Sequence, residues 1–251
     1  MKDNKTLAYI NLFAILGSIP TLCELSDEAR ELIKNDKVSI GFDVKGGPSG
    51  TLIFDLGKVK MVEGITKCNI KLPFSSPEKF NGMIDGTVTP IPSKGFTKIS
   101  FLLKKFIPLT DILSKYLRAT DEDLKDEKFA RTSTLLMFGV ISEAMSQIGN
   151  HDSVGSFSAS NIVDGTARLS IGDDIEASVV CRGHKLHTIH GKADECTAYM
   201  AFSNLTDARA IFDGKLNAVA AVGLGIVRIG GMISMIDNLN RILDRVSFYL
   251  A

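Results

Sequence analysis

The sequence has no excess of charge of one sign. Its 29 lysines and arginines are balanced by 29 aspartates and glutamates over 251 residues. Attraction to a nucleic-acid backbone or an anionic bilayer needs clustered basic side chains, so nucleic acid is not the expected partner. Cysteine is scarce too. Cys23, Cys68, Cys181 and Cys196 have neither the density of a disulfide scaffold nor the spacing of a zinc knuckle, which fits a reducing, cytoplasmic setting. No Ser-His-Asp set, paired carboxylates or phosphate loop can be picked out. Gly223-Leu-Gly-Ile-Val-Arg-Ile-Gly-Gly lacks the spacing and the following Lys-Ser/Thr of such a loop.

One long apolar run is present, from Leu7 to Cys23 after Lys2 and Lys5. A signal peptide is one reading of it. Against that, Asp3 sits between the lysines, Asn11 and Pro20 interrupt the run, no small-residue cleavage pattern follows, and the run is short for a membrane span. A second apolar run from Leu135 to Ile148 makes a packed helix the simpler expectation for both.

The chain is internally repetitive. Cys68-Asn-Ile-Lys-Leu-Pro-Phe-Ser-Ser lies over Cys196-Thr-Ala-Tyr-Met-Ala-Phe-Ser-Asn, 128 positions on. At that spacing Asp85-Gly86 meets Asp213-Gly214, Gly95 meets Gly223, and Thr6-Leu7 meets Thr134-Leu135. Two copies are expected, residues 1–123 and 124–251, joined through the charged stretch Thr120 to Lys128, a solvated linker or helix start.

In the first copy, Ser26-Asp-Glu starts a short helix. Four strands follow as an antiparallel meander: Val38 to Val44, Gly50 to Leu56, Val59 to Val62 and Cys68 to Phe74, with a hairpin turn at Gly57-Lys58. The second copy repeats this from Gly165 to Phe202, with turns at Gly172-Asp173-Asp174, Gly183-His184 and Gly191 to Glu195. Ser75-Ser-Pro-Glu-Lys and Ser203-Asn-Leu-Thr-Asp open helices that stop at Gly86 and Gly214. A further strand, Phe96 to Phe101 or Leu224 to Ile229, leads into a terminal helix whose apolar residues exceed a single packing stripe.

This order of elements resembles the sterol carrier protein 2 family, most specifically over Ser203 to Gly231, where Gly214, Gly223 and Gly230 occupy the places of that family's glycines. In the first copy Gly86 and Gly95 match, and Leu102 stands at the third. The resemblance implies an α+β fold of two SCP2-like domains, each a mixed, mostly antiparallel sheet covered by helices. It implies a lipid, sterol or fatty acyl, held in an apolar pocket between sheet and terminal helix, with transient membrane contact and no catalysis.

The expected lining is Phe101, Leu102, Phe106, Ile107, Leu109 and Leu113 in the first copy. In the second it is Ile229, Met232, Ile233, Met235, Ile236 and Leu239, where methionine suits ligands of varied shape. No cofactor and no metal are expected. Cys181, His184, His187 and His190 are spaced by three, which on a strand puts Cys181 and His187 on one face and the other two on the opposite one. Cys68 and Cys196 read as equivalent buried packing residues. Beside the lipid reading stand an interaction or scaffold protein, an intrachain pseudo-dimer with collapsed cavities, and an enzyme using the histidine strand.

Overall fold

The computed structural model describes residues 2–173 and 175–250, so Asp174 of the expected turn lies outside the described residues. The N-terminal apolar run is helical from Asn4 to Leu25. It starts as α1 (Asn4–Tyr9), capped by the Asp3 carboxylate on the Thr6 N–H, and ends as α2 (Ile19–Leu25). Between them runs a π-helical turn, Ile10–Ile15, and one 3₁₀ turn. Pro20 has no N–H for the preceding turn, which favours this local change of winding. By length and mean hydropathy, 1.6, the helix is able to cross a bilayer, which corrects the expectation that the run is too short. Its apolar face, Leu12, Leu16, Ile19 and Leu22, is instead spent in the core of the first unit.

Ser26 caps α3 (Asp27–Leu32), its hydroxyl accepting from the Ala29 N–H at 3.3 Å. Strands β1 (Lys37–Val44), β2 (Ser49–Asp55), β3 (Lys58–Glu63) and β4 (Ile70–Phe74) form a sheet of order β3-β2-β1-β4. The first three are an antiparallel meander. β4 joins β1 in parallel, Ile40 opposite Ile70, which corrects the all-antiparallel expectation: the connection from β3 carries the chain past β2 to the far side of β1. Then come α4 (Pro77–Ile84), α5 (Ile99–Phe101), a π-helical turn at Leu102–Phe106 and α6 (Ile107–Leu117). Pro108 follows this second π turn as Pro20 follows the first.

The stretch Phe96 to Phe101, expected as a strand, is helical. Pro92 removes a ladder donor there, and strand pairing shrinks to one bridge, Lys71 opposite Lys94. Gly95 then turns the chain at φ 89°, so close to β4 that a Cβ would stand 2.4 Å from the Asn69 carbonyl oxygen.

The charged stretch holds one 3₁₀ turn, Asp123–Lys125, and the start of α7 (Glu127–His151). The two compact units are residues 1–136 and 137–251, so the division falls within α7. The second unit continues with α8 (Ser153–Ser160), β5 (Gly165–Ile171), β6 (Ile175–Arg182), β7 (Lys185–Ile189) and β8 (Ala198–Phe202). It closes with α9 (Leu205–Phe212), α10 (Ala218–Gly223), β9 (Val227–Gly231) and α11 (Ile233–Leu250). Its sheet order is β7-β6-β5-β8-β9, with β8 parallel to β5. The protein is therefore α+β, with two mixed, mostly antiparallel sheets.

The spacing between the two units is not constant. The helix caps Ser26 and Asp152 stand 126 apart, the sheet partners Ile40 and Ala167 127, and Ile70 and Ala198 128. Helices α4 and α9 also match at 128. Beyond them α10 is an insertion, so the counterpart of Gly95 is Gly231 and not Gly223. Gly231 has φ 81°, and its Cβ would lie 2.3 Å from the Thr197 carbonyl oxygen, as Gly95 lies against Asn69.

Candidate functional site

In the first unit, Phe101, Leu102, Phe106, Leu109 and Leu113 all face the sheet and belong to its core, while Ile107 is exposed. Aromatic rings occupy the space between the layers. Phe101 meets Phe54 edge-on at 5.2 Å between centroids, Phe106 meets Phe42 at 6.0 Å, and Phe80 of α4 meets both Phe42 and Phe74.

In the second unit Met235, Ile236 and Leu239 are buried under α11, Ile229 is half-buried on β9 opposite Met200, and Met232 and Ile233 are exposed. Strand pairing and burial set the residues of the two units side by side. Ile40, Phe42, Leu52 and Phe54 of β1 and β2 become Ala167, Leu169, Val179 and Cys181. Ile70 becomes Ala198, and Phe80 becomes Ala208. On the terminal helices the buried series Phe101, Leu102, Phe106, Leu109, Leu113 corresponds to Met235, Ile236, Leu239, Ile242, Val246. The first series is one residue longer between its second and third members because the π turn inserts one.

None of these changes enlarges a side chain, and most remove part of one. Buried and half-buried aromatics remain in a cluster where Phe212 meets Phe202 at 5.4 Å and stacks with Phe138 at 6.4 Å, and at Tyr249 on α11. Val219 and Leu224, in and just after α10, and Ile233 at the start of α11 are all more than half exposed, and no charged residue stands between Leu216 and Val227.

A polar network ties α11 down. Asp152 caps α8 through the Val154 and Gly155 N–H groups, and it accepts from Arg245 Nη2 and from the Tyr249 hydroxyl, both at 2.8 Å. Burial would raise the pKa of this carboxyl. The bonds from Arg245, the Gly155 N–H and Tyr249 outweigh burial and hold it below the usual range. Glu143 on α7 is the opposite case: burial pushes it up, and the Gln147 bond and nearby His190 and His187 only partly offset this.

The histidines do not converge. His184 sits in the β6–β7 turn at φ 63°, with Nδ1 3.2 Å from the Ile162 carbonyl oxygen. His187 faces outward on β7, and His190 lies 3.7 Å from Glu143. Cys181 is buried, so it does not share a face with His187; the turn between β6 and β7 breaks the alternation on which that expectation rested. Among the described residues no three His, Cys, Asp or Glu side chains are grouped to hold an ion. Cys68 is buried but Cys196 is exposed, a correction to their expected equivalence. It traces to an arginine on the outer face of β5, Arg168, where the first unit has Gly41. The sequence signal for this spot is the residue type at an outward position of a regular alternation, Arg168 between Ala167 and Leu169, where Gly41 stands between Ile40 and Phe42.

No protein-family model and no curated protein matches the sequence. Similar solved structures include a UbiJ-SCP2 ubiquinone synthesis protein, 12% identical over 45% of this chain and 96% of that one, with a TM-score of 0.35. Palmitated SCP2L2 from Aedes aegypti is 18% identical over 41% of this chain and 90% of its own, with a TM-score of 0.30. The conserved hypothetical protein TT1886 from Thermus thermophilus is 17% identical over 43% and 88%, with a TM-score of 0.31.

Proposed function

We propose that the chain is a tandem pair of SCP2-like domains that binds a fatty acyl or sterol-like lipid without catalysis, and that the second unit is the one that carries it. The observation behind this reading is the loss of side-chain volume between sheet and α11, at Ala167, Val179, Cys181, Ala198 and Ala208, relative to the aromatic-filled first unit. An acyl chain entering that layer supplies the missing apolar volume and gains about 0.8 kcal/mol per CH₂ withdrawn from water. The exposed Ile233 at the start of α11, and Val219 and Leu224 at α10, suit a surface that meets a lipid or a membrane for a short time. Four unpaired cysteines suit a cytoplasmic carrier.

The test uses the full chain, native mass spectrometry followed by organic extraction, and a fluorescent fatty acyl probe. Ala208→Phe restores the ring that the first unit has at Phe80. It should weaken probe binding tenfold or more, about 1.4 kcal/mol, while the urea midpoint stays within the scatter of the parent. If the parent binds no probe, and Ala208→Phe instead costs the 1–3 kcal/mol or so typical of overpacking, the lipid reading fails and the scaffold reading replaces it.

A further inference from the structure

The sheet face of the second unit turned away from α11 carries a cleft of about 240 Å³, on the opposite side from the layer discussed above and independent of the lipid reading. Its floor is made by short residues, Ser170 on β5 and Ala201 on β8, which stand opposite each other. The row continues to Arg228 on β9 at one end and Glu176 on β6 at the other. Arg168 stands on β5 one step along the same face, opposite Tyr199. The Tyr199 side chain lies over Gly230, where a Cβ would come within 2.6 Å of Cε1 and the hydroxyl oxygen.

Two arginines, Arg168 and Arg228, line the cleft, with Asp173 and Glu176 as its acids. Among the described residues neither Arg168 nor Arg228 forms an ion pair. The Arg168 guanidinium donates from Nη2 to the Ala193 carbonyl oxygen at 3.1 Å, and its Nε is buried with no acceptor. That Nε has no surface open to the cleft, so an anion there would be met by the outer nitrogens of the guanidinium groups, a fork that accommodates an oxyanion well.

The first unit shows the same place closed. Arg168 is replaced by Gly41, over which Cys68 Sγ and Ile65 pack at 2.9 and 3.3 Å from a notional Cβ. Ser170 and Tyr199 are replaced by Asp43 and Lys71, which pair with each other at 2.7 Å. In the second unit the cleft is open, the equivalent Cys196 lies in its wall, and neither arginine is ion-paired among the described residues.

We propose that this cleft binds a small phosphate- or carboxylate-bearing molecule. The oxyanion sits over Ala201 between Arg168 and Arg228, and Glu176 with Asp173 accept from a hydroxyl or ammonium group at the other end. A volume below the 300–1,000 Å³ or so of drug-sized sites limits the occupant to a compact molecule or a headgroup.

Cys196 reports on occupancy, because the other three cysteines are buried. Alkylation of the full chain by anionic iodoacetate and by neutral iodoacetamide is followed site by site by mass spectrometry. The iodoacetate-to-iodoacetamide rate ratio at Cys196 should exceed that of the urea-unfolded chain by about fivefold, close to 1 kcal/mol. It should fall toward the unfolded value in Arg228→Gln, whose exposed side chain is not needed for folding, and in Arg168→Gln. Inorganic phosphate and O-phosphoethanolamine at constant ionic strength should protect Cys196 saturably. Vesicles containing phosphatidic acid that protect at much lower total phosphate assign the oxyanion to a lipid headgroup; protection by the soluble anions alone assigns it to a free small molecule. A ratio equal to that of the unfolded chain, with no saturable protection by any of these probes, overturns the proposal.

Discussion

The two units share a sheet order and a parallel fourth strand, yet they fill their interiors differently. The first packs Phe42, Phe54, Phe80, Phe101 and Phe106 between its layers. The second has leucine, cysteine, alanine, methionine and leucine at the matching places, and ties its terminal helix with the Asp152–Arg245–Tyr249 network. The matching residues of the first unit are Ser26, Ile112 and Tyr116, where the cap bonds only to backbone. Packing is unforgiving of lost volume, whereas a few buried polar bonds fix where a helix docks without filling the space beneath it. One fold can therefore be held by density in one unit and by a polar staple in the other.

The comparison breaks most visibly at Phe80. Phe80→Ala removes a fully buried ring that touches both Phe42 and Phe74 and leaves a cavity, so it should cost about 3–5 kcal/mol. Hydrogen exchange measured by mass spectrometry should show the loss in β1, β4 and α6 while β5 and β8 keep their protection. A cost below about 1 kcal/mol would mean that the first interior is already loose and that the contrast between the units is not one of packing.

The next largest effect concerns the staple. Asp152→Ala leaves the Arg245 charge and the Tyr249 hydroxyl without their acceptor and uncaps α8. Because Arg245 is partly exposed, about 2–3 kcal/mol is expected, below the roughly 3–5 kcal/mol that breaking a fully buried pair costs. Ser26→Ala, which removes a cap alone, should cost about 1 kcal/mol. The pH dependence follows from the depressed carboxyl of Asp152. Its stabilisation is fully present above the unfolded value near 3.8 and is lost as pH falls through the lower folded value, because only the unfolded chain gains the proton in that window. Acid titration followed by hydrogen exchange should therefore open α8 and α11 in the parent, and Asp152→Ala should flatten that response. Equal losses from Ser26→Ala and Asp152→Ala would reduce the staple to an ordinary cap.

Much of this architecture is legible in the sequence because strands and caps are local. The alternation in β1, β2, β5 and β6, the Ser76-Pro77 helix start and the glycine stops at Gly86 and Gly214 each follow from residues within a few positions of one another. What escapes is set by distant partners. The parallel docking of β4 depends on which edge of β1 is free, and the partner of Gly95 moved to Gly231 because α10 is inserted ahead of it. The stretch Phe96 to Phe101 has strand composition, yet pairing at Pro92 fails and Gly95 sends the chain into a helix. Of the candidate residues, the burial of Phe101, Leu102, Phe106, Leu109, Leu113, Met235, Ile236 and Leu239 follows helical spacing, whereas Ile107, Met232 and Ile233, counted with them, are exposed. The contrast in side-chain volume was not legible, because it appears only when residues 126, 127 and 128 apart are compared in the right segments.

The smallest effect sharpens the comparison at one hairpin. Both units close the turn between the second and third strands with two residues at positive φ, Leu56 and Gly57 at 52° and 87° in the first and Gly183 and His184 at 54° and 63° in the second, the geometry that matches the twist of paired strands. Each turn thus has one glycine and one residue that resists the left-handed region, but at opposite positions. His184 is compensated, with Nδ1 3.2 Å from the Ile162 carbonyl oxygen. Leu56 is 59% exposed, and a left-handed leucine costs about 1–2 kcal/mol. Asparagine tolerates this conformation, so Leu56→Asn should stabilise the first unit by about 0.5–1 kcal/mol, read as a higher urea midpoint with an unchanged slope. His184→Asn relieves less strain and forfeits the Ile162 contact, so it should leave the second unit within about 0.5 kcal/mol of the parent. If both substitutions stabilise equally, the histidine contact contributes nothing to the turn; if Leu56→Asn destabilises, the exposed leucine is held by packing that outweighs its backbone strain.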